Sequence, residues 1–252
     1  MKRTFLSFCL CVSVAVSSPI NVVGQIDINW TPLAPGTRAQ ALEPELHMRF
    51  DSIHTGSIVD STTDPTNPFE NLSQSLYVLS ESTDAPRFEA FVRAFPESAA
   101  RQGSFSIQFR IVSGTLTLEV GHTSELWDPG ERASYGMASN YFGVLFHPGS
   151  EIQIRGIPVQ TASVIALEAN VNYTFTVKWD FEDTELVYTF FLNGERINSL
   201  SGTPFARIPE AAEADAGVTG FRILLGTRET AEGAVFIGQI QSASGRPVDL
   251  HE

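Results

Sequence analysis

The segment from Asn172 to Ile197 constrains the fold more than any other part of the chain, because it alternates apolar and polar residues over two successive runs. Side chains of period two share a face, and the first run places on one face Tyr173, Phe175, Val177 and Trp179. The second run repeats the pattern with Leu186, Tyr188, Phe190 and Leu192. Asn193-Gly194 then supplies the positive φ angles of a two-residue hairpin turn. The segment therefore predicts an antiparallel sheet with one buried face.

The same alternation recurs along the chain. Further apolar runs of period two are Phe88 to Ala94, Phe105 to Ile111, Leu116 to Val120 and Phe221 to Leu225. Turn signals separate them: Arg101-Gln102-Gly103, Ser113-Gly114, Asp128-Pro129-Gly130, His147-Pro148-Gly149 and Arg155-Gly156. We interpret the helix-like stretch Pro209 to Ala216 as a crossing between strands. About twelve strands predict an all-β fold, a two-sheet antiparallel jelly-roll sandwich that forms a single domain over residues 25–252.

The first residues predict export. Lys2 and Arg3 precede an apolar run from Phe5 to Val16, and small residues precede Gln25. We interpret residues 1–24 as a signal peptide and predict a secreted or periplasmic protein. The apolar run is shorter than the about 20 residues of a membrane-spanning helix, so no membrane insertion is predicted. Both cysteines, Cys9 and Cys11, would leave with the signal peptide.

The charge narrows the classes of partner. Removing residues 1–24 takes away Lys2 and Arg3 but no acid, which changes the formal charge from −13 to −15. So acidic a surface repels polyanions, which argues against nucleic acid, anionic membranes and anionic polysaccharides docked without a metal bridge. The remaining partners are neutral glycans, cations and cell-surface proteins.

With its strands in this order, the chain resembles the concanavalin A-like lectin/glucanase superfamily, and within it the laminin-G-like jelly rolls of secreted bacterial proteins. The resemblance rests on five segments: Leu46 to Asp51 with Gly56 soon after, Gln74 to Val78, Gly103 to Phe109, Tyr173 to Gly194, and Val235 to Ile240. It implies the fold and a tendency to bind glycans or proteins, and no particular ligand.

The resemblance also implies a calcium site, built from an aspartate in the last strand and an acid from the first. Gly238 and Gln239 stand where the aspartate is expected. Asp51 alone cannot supply the six to eight oxygens that calcium takes. The histidines show no spacing typical of zinc. We therefore predict no metal and no cofactor, with calcium as the alternative that the resemblance keeps open.

Catalytic relatives of this superfamily carry patterns that the chain lacks. Laminarinase-type hydrolases place Glu-x-Asp and a second Glu on one strand, and the closest match is the acidic run from Asp180 to Glu185, at a predicted hairpin tip where acids are ordinarily solvated. Jelly-roll alginate lyases use Gln-x-His and Tyr-x-Lys, whereas this chain has Gln239-Ile240-Gln241 and Tyr141-Phe142-Gly143. The sequence therefore predicts a protein that is not an enzyme.

One loop, residues 122–142, combines aromatic residues with polar partners for hydroxyl groups. We predict that it binds glycan through Trp127, Asp128, Tyr135, Asn140 and Tyr141. Aromatic faces stack on sugar rings, carboxylates and amides bond hydroxyls, and long loops on a rigid scaffold often carry binding residues. The alternative is that Trp127 plugs the end of the sandwich and Tyr141 begins the next strand.

Three classes of function follow. The sequence favours an exported, non-catalytic glycan-recognition module of lectin type. A structural or adhesive protein of the cell envelope is the first alternative, since no catalytic pattern is present. A polysaccharide-cleaving glycoside hydrolase or lyase with an unrecognised site is the second, supported only by kinship of fold.

Overall fold

The computed structural model describes residues 26–37, 46–49, 54–80, 88–92, 100–123, 137–150, 152–155, 166–182, 185–197, 205–207, 217–225 and 232–245. These residues form fifteen strands and no helix. The strands are β1 (Ile26–Ile28), β2 (Leu46–Arg49), β3 (His54–Asp60), β4 (Gln74–Ser80), β5 (Phe88–Val92), β6 (Gln102–Ser113), β7 (Leu116–Thr123), β8 (Met137–Phe146), β9 (Gln153–Arg155), β10 (Asn172–Glu182), β11 (Glu185–Leu192), β12 (Glu195–Ile197), β13 (Phe205–Arg207), β14 (Gly220–Leu225) and β15 (Gly233–Ser244). The predicted signal peptide, Asp51 and the stretch Pro209 to Ala216 lie outside the described residues.

The strands form two sheets. The nine-stranded sheet has the order β12-β11-β10-β6-β15-β4-β3, with β1 beside β15 and β13 beside β11. The six-stranded sheet has the order β2-β5-β14-β7-β8-β9. All pairings between named strands are antiparallel. The prediction of an all-β, two-sheet antiparallel jelly roll is confirmed.

The core lies between the two sheets. Aromatic residues contribute much of it, and they meet across the gap: Phe105 of β6 stacks on Phe221 of β14 at 3.8 Å between ring centroids, and Phe146 meets Phe175 at 5.0 Å. Six residues of the predicted inner face of the hairpin are buried, whereas Tyr173 is partly buried. The six are Phe175, Val177, Trp179, Tyr188, Phe190 and Leu192. The register predicted from alternation is therefore confirmed, and burial of these large apolar side chains stabilises the sandwich.

The hairpin differs from its prediction only at its tip. Glu182 pairs with Glu185, so β10 and β11 extend further into the acidic run than the predicted break allowed. After β11 the backbone turns at Asn193 and Gly194, which have φ angles of 52° and 82°. Two successive positive φ angles define the predicted hairpin turn, and it leads from β11 into β12.

The prediction of a turn at Arg101-Gln102-Gly103 is wrong. Gln102 and Gly103 begin β6, and Gly103 pairs with Trp179. A Cβ on Gly103 would lie 2.6 Å from Cζ2 of Trp179 and 2.6 Å from the carbonyl oxygen of Ala243. The glycine therefore allows close packing within a strand and does not mark a turn.

Part of the outer face of the nine-stranded sheet is covered by residues 61–73, which we call the covering segment. Phe69 of this segment is 3% exposed and packs with Val59 and Phe236 in a second, smaller apolar cluster. The Asn67 side chain donates from Nδ2 to the carbonyl oxygen of Leu72 at 2.6 Å. The covering segment is thus held by its own hydrogen bonds and by apolar contacts to the sheet.

Residues 26–37, the first described segment, are attached to the same sheet. β1 pairs with the end of β15, where Ile26 lies opposite Ser242. Trp30 is buried, and its Nε1 donates to the carbonyl oxygen of Gly238 at 2.6 Å. Among the described residues there is no helix long and apolar enough to cross a membrane.

Candidate functional site

The described residues that flank the predicted glycan-binding loop lie at one end of the six-stranded sheet. β7 ends at Thr123 and β8 begins at Met137, and these two residues pair with each other. The connection between them must therefore start and finish at that end. Trp127, Asp128 and Tyr135 lie outside the described residues, so their roles stay predictions. Asn140 belongs to β8, where it pairs with Gly121.

Tyr141 does not fit the predicted role in sugar binding. The pairing between β7 and β8 is irregular beside it, since Val120 pairs with Phe142 and Gly121 with Asn140. Tyr141 is 0% exposed, and its hydroxyl donates to the carbonyl oxygen of Gly217 at 3.0 Å. A ring without exposed surface cannot stack on a sugar. Tyr141 therefore belongs to the core. It lies within β8, which starts at Met137, whereas the alternative from the sequence was that Tyr141 begins this strand.

An ion pair lies on the outer face of the six-stranded sheet, the side directed away from the core. We call this side the ion-pair face. Arg222 of β14 and Glu119 of β7 are cross-strand partners. Nε of Arg222 donates to Oε2 of Glu119 at 2.6 Å, and Nη2 contacts the same oxygen. The side chains are 22% and 16% exposed. The two charged groups are therefore largely removed from water and held in a fixed geometry.

The surroundings of this pair are apolar and small. Leu145 and Leu224 are buried although alternation directs them away from the core between the sheets, and Thr117 between them is buried as well. Three buried glycines border the pair in the neighbouring strand positions, namely Gly121, Gly143 and Gly220. A glycine adds no side chain, so the backbone lines this part of the face. Apolar surroundings with a few directed polar groups are one feature of small-molecule sites.

Sequence reasoning missed Glu119 and Arg222. Each is a charged residue between apolar residues of a predicted strand, in Leu118-Glu119-Val120 and Phe221-Arg222-Ile223. That pattern could have marked them as outward-facing. Their meeting depends on β7 and β14 being neighbours, and the two residues are 103 positions apart in the chain.

The described residues do not fit a calcium site at the position that the resemblance implied. Gly238 accepts the Trp30 hydrogen bond through its carbonyl oxygen, and Nε2 of Gln239 donates to Oδ1 of Asp27 at 2.6 Å. The pairing of β15 with β6 is irregular between Ile237 and Ile240, which is where both residues lie. Among the described residues no group of three His, Cys, Asp or Glu side chains could hold a metal ion.

The acidic run at the hairpin tip offers one described carboxylate. Asp180 is half-buried and accepts a hydrogen bond from Nε2 of Gln102 at 2.8 Å. Its neighbour Phe181 packs edge-on against Tyr141, with 5.6 Å between ring centroids. The contacts of Asp180 thus help to join β10 to β6 at this end of the sandwich.

Comparisons with known proteins agree on the fold. No protein-family model matches the chain, and no curated protein matches it in sequence. The structure is similar to that of a carbohydrate esterase from the Shiga toxin-encoding bacteriophage phi24B, with a TM-score of 0.50, 12% identity, and coverage of 80% of this chain and 90% of that one. It is also similar to a protein of unknown function from Shewanella oneidensis MR-1, with a TM-score of 0.46, 16% identity, and coverage of 87% and 85%.

A third similar structure is the exoplasmic/lumenal domain of VIP36 in its Ca2+/Man3GlcNAc-bound form, with a TM-score of 0.45, 12% identity, and coverage of 84% of this chain and 88% of that one. At such identities a structural likeness shows the fold alone. The chain is a two-sheet jelly roll, and its function has to be inferred from its own residues.

Proposed function

We propose that the protein is an exported, non-catalytic glycan-recognition module that binds a neutral glycan at the end of the six-stranded sheet. The observation that carries the proposal is the sheltered Glu119–Arg222 pair on the ion-pair face. A carboxylate accepts hydrogen bonds from sugar hydroxyls, and a guanidinium donates to them. Because the two groups already orient each other, little conformational entropy is lost when a ligand binds.

The predicted loop supports the same location. It leaves the sheet directly after β7, the strand that carries Glu119, and it returns into β8 just before Asn140. Trp127 and Tyr135 would supply apolar faces for the pyranose ring, and Asp128 and Asn140 would supply hydroxyl partners. Tyr141 has no part in this version of the site, because its ring is buried.

A glycan array followed by affinity electrophoresis tests the proposal. We expect wild-type protein to bind at least one neutral glycan, and Glu119→Gln to weaken that binding by about tenfold, since a hydrogen bond to a charged group contributes about 1.5 to 3 kcal/mol. Trp127→Ala should weaken it as well. The matched control is Asp64→Asn, which removes one exposed carboxylate from the covering segment.

Three results would contradict the proposal. One is that wild-type protein binds no neutral glycan on the array. Another is that Asp64→Asn weakens binding as much as Glu119→Gln. The third is that wild-type protein releases reducing or unsaturated ends from a bound glycan, which would establish an enzyme.

A further inference from the structure

The turn between β11 and β12 contains the only Asn-Gly pair of the sequence, Asn193-Gly194. Both residues are exposed, and their φ angles of 52° and 82° lie in the left-handed region. A Cβ atom added to Gly194 would lie more than 4 Å from every described residue except its chain neighbours. The backbone nitrogen of Gly194 therefore follows the Asn193 amide in a turn that is open to solvent.

The Asn193 side chain is held against β10. Its Oδ1 accepts a hydrogen bond from the backbone N–H of Thr174 at 2.8 Å. The backbone N–H of Asn193 donates to the carbonyl oxygen of Thr174, also at 2.8 Å. Backbone N–H groups stabilise negative charge that develops on a carbonyl oxygen during a reaction. The fold therefore polarises the amide carbonyl of Asn193 and favours attack on its Cγ atom.

We propose that Asn193 is a site of spontaneous deamidation, a modification that converts its amide to a carboxylate. The Gly194 nitrogen loses its proton to hydroxide and forms a bond to Cγ of Asn193. The bond between Cγ and Nδ2 then breaks, Nδ2 takes up a proton from water, and ammonia leaves a cyclic imide behind. The negative charge of the tetrahedral intermediate lies on Oδ1, the atom to which Thr174 donates. Addition of one water molecule opens the imide.

The imide can open at either of its carbonyl groups, and the two products fit the turn differently. Cleavage of the bond between Cγ and the Gly194 nitrogen leaves an aspartate, whose carboxylate can accept the same hydrogen bond from Thr174. Asp-Gly also suits a two-residue hairpin turn. Cleavage of the main-chain bond leaves isoaspartate, which adds one carbon atom to the backbone. Because loop length fixes hairpin register, isoaspartate should disturb the pairing of Phe190 with Ile197.

A second asparagine of the same chain provides an internal comparison. Asn170 is also exposed and has a positive φ angle of 63°, and its backbone N–H donates to the carbonyl oxygen of Ile111. It precedes Val171, whose stiff, branched side chain crowds the nitrogen that would attack. We expect Asn193 to deamidate about tenfold faster than Asn170, which corresponds to a difference of about 1.4 kcal/mol between the two barriers.

Peptide mapping by mass spectrometry tests this inference, after the folded protein has been incubated at mildly alkaline pH. Trypsin cleaves after Lys178 and Arg196, and the peptide of residues 179–196 contains no asparagine or glutamine other than Asn193. The mass gain of an amide-to-carboxyl conversion in this peptide therefore reports on Asn193 alone. The preceding tryptic peptide contains Asn170, whose conversion is located by fragmentation. A methyltransferase specific for isoaspartate distinguishes the two products.

The comparison of Asn193 with Asn170 uses wild-type protein, so no folding defect of a variant can obscure it. A rate for Asn193 no greater than that for Asn170 would overturn the inference. Deamidation of Asn193 that occurs only after unfolding in urea would overturn it too.

Two variants extend the test. Gly194→Ala should slow the reaction several-fold, because its methyl group crowds the attacking nitrogen. Asn193→Asp reproduces the aspartate product and should leave hydrogen exchange at Ile197 unchanged, whereas protein that carries isoaspartate should exchange faster there. The turn belongs to the nine-stranded sheet, so these results are independent of glycan binding at the ion-pair face.

Discussion

On both sheets, alternation along the strands directs one set of side chains away from the core. The two outer faces differ in how deeply these side chains are buried. On the ion-pair face Thr117, Leu145 and Leu224 are buried. On the nine-stranded sheet the corresponding outward positions, such as Thr176 and Phe191, stay partly exposed, except where the covering segment lies over them. Alternation therefore shows which side chains face away from the core, but it does not show whether that side meets water.

The largest expected effect compares the side of β10 that faces the core with the side that faces away from it. Phe175→Ala should lower the free energy of unfolding by about 3 to 5 kcal/mol, because it leaves a cavity among packed aromatic rings. Thr176→Ala, one residue away on the outer side, should cost about 1 kcal/mol through its lost hydrogen bond to Ser106. Urea denaturation of both variants measures the difference. Equal losses would contradict the assignment of inner and outer sides.

The next effect compares the covered and open parts of the nine-stranded sheet. Phe69→Ala should cost about 3 kcal/mol, because Phe69 is 3% exposed and anchors the covering segment on Val59 and Phe236. Phe191→Ala should cost less than about 1 kcal/mol, since Phe191 is only partly buried. Thermal unfolding of the two variants checks this order. A larger loss for Phe191→Ala would mean that the open part is packed as tightly as the covered part.

A smaller effect is expected when the ion pair is broken. Glu119→Gln should lower the free energy of unfolding by about 1 kcal/mol, between the values for exposed and buried ion pairs, because the partners are 16% and 22% exposed. A double-mutant cycle with Arg222→Gln isolates the coupling between the two side chains. A coupling free energy near zero would show that the ion pair behaves like a fully solvated one. It would contradict the conclusion that the ion-pair face is less exposed to water than the outer face of the nine-stranded sheet.

The smallest effect concerns Asp60, where β3 leads into the covering segment. The pKa of Asp60 is lowered by hydrogen bonds from the Thr62 hydroxyl first, and then from the backbone N–H groups of Thr62 and Thr63. A lowered folded-state pKa stabilises the protein above the unfolded-state pKa, and this contribution disappears as the pH falls through the folded-state value. The loss should therefore occur only below the ordinary pKa of 3.8.

Titration of Asp60 followed by NMR measures this shift. Thr62→Val removes the hydroxyl donor and should raise the pKa of Asp60 towards its ordinary value. Ser61→Ala is the neighbouring control, since it leaves the hydrogen bonds from Thr62 and Thr63 in place. A pKa that is the same in wild type and Thr62→Val would show that the hydroxyl does not stabilise the carboxylate in solution.

Local patterns were sufficient to predict the fold class. The buried faces of β6, β7, β10, β11 and β14 follow from alternation, and the turn at Asn193-Gly194 follows from its residue types. The sequence predicts a turn at Gly103 because it does not show which ring packs against this residue. The Trp179 ring that requires this glycine belongs to another strand. Non-local packing of this kind cannot be read from neighbouring residues.

The candidate site was less predictable for the same reason. The sequence indicated a loop whose Trp127, Asp128 and Tyr135 lie outside the described residues, and it included Tyr141, which is buried. An aromatic residue at the start of a strand can face a ligand or the core, and composition does not distinguish the two. Glu119 and Arg222 become a pair only through strand order, which alternation leaves undetermined.

The pairing of β1 with β15 has a practical consequence. Because Ile26 lies opposite Ser242, the first and the last described strands are neighbours in one sheet. A domain with adjacent ends can be inserted into a surface loop of a host protein, since both connections leave side by side. The same closeness favours circular permutation, in which a short linker joins the two ends and new termini are made in another loop. This jelly roll is therefore a candidate for insertion into a loop of another protein.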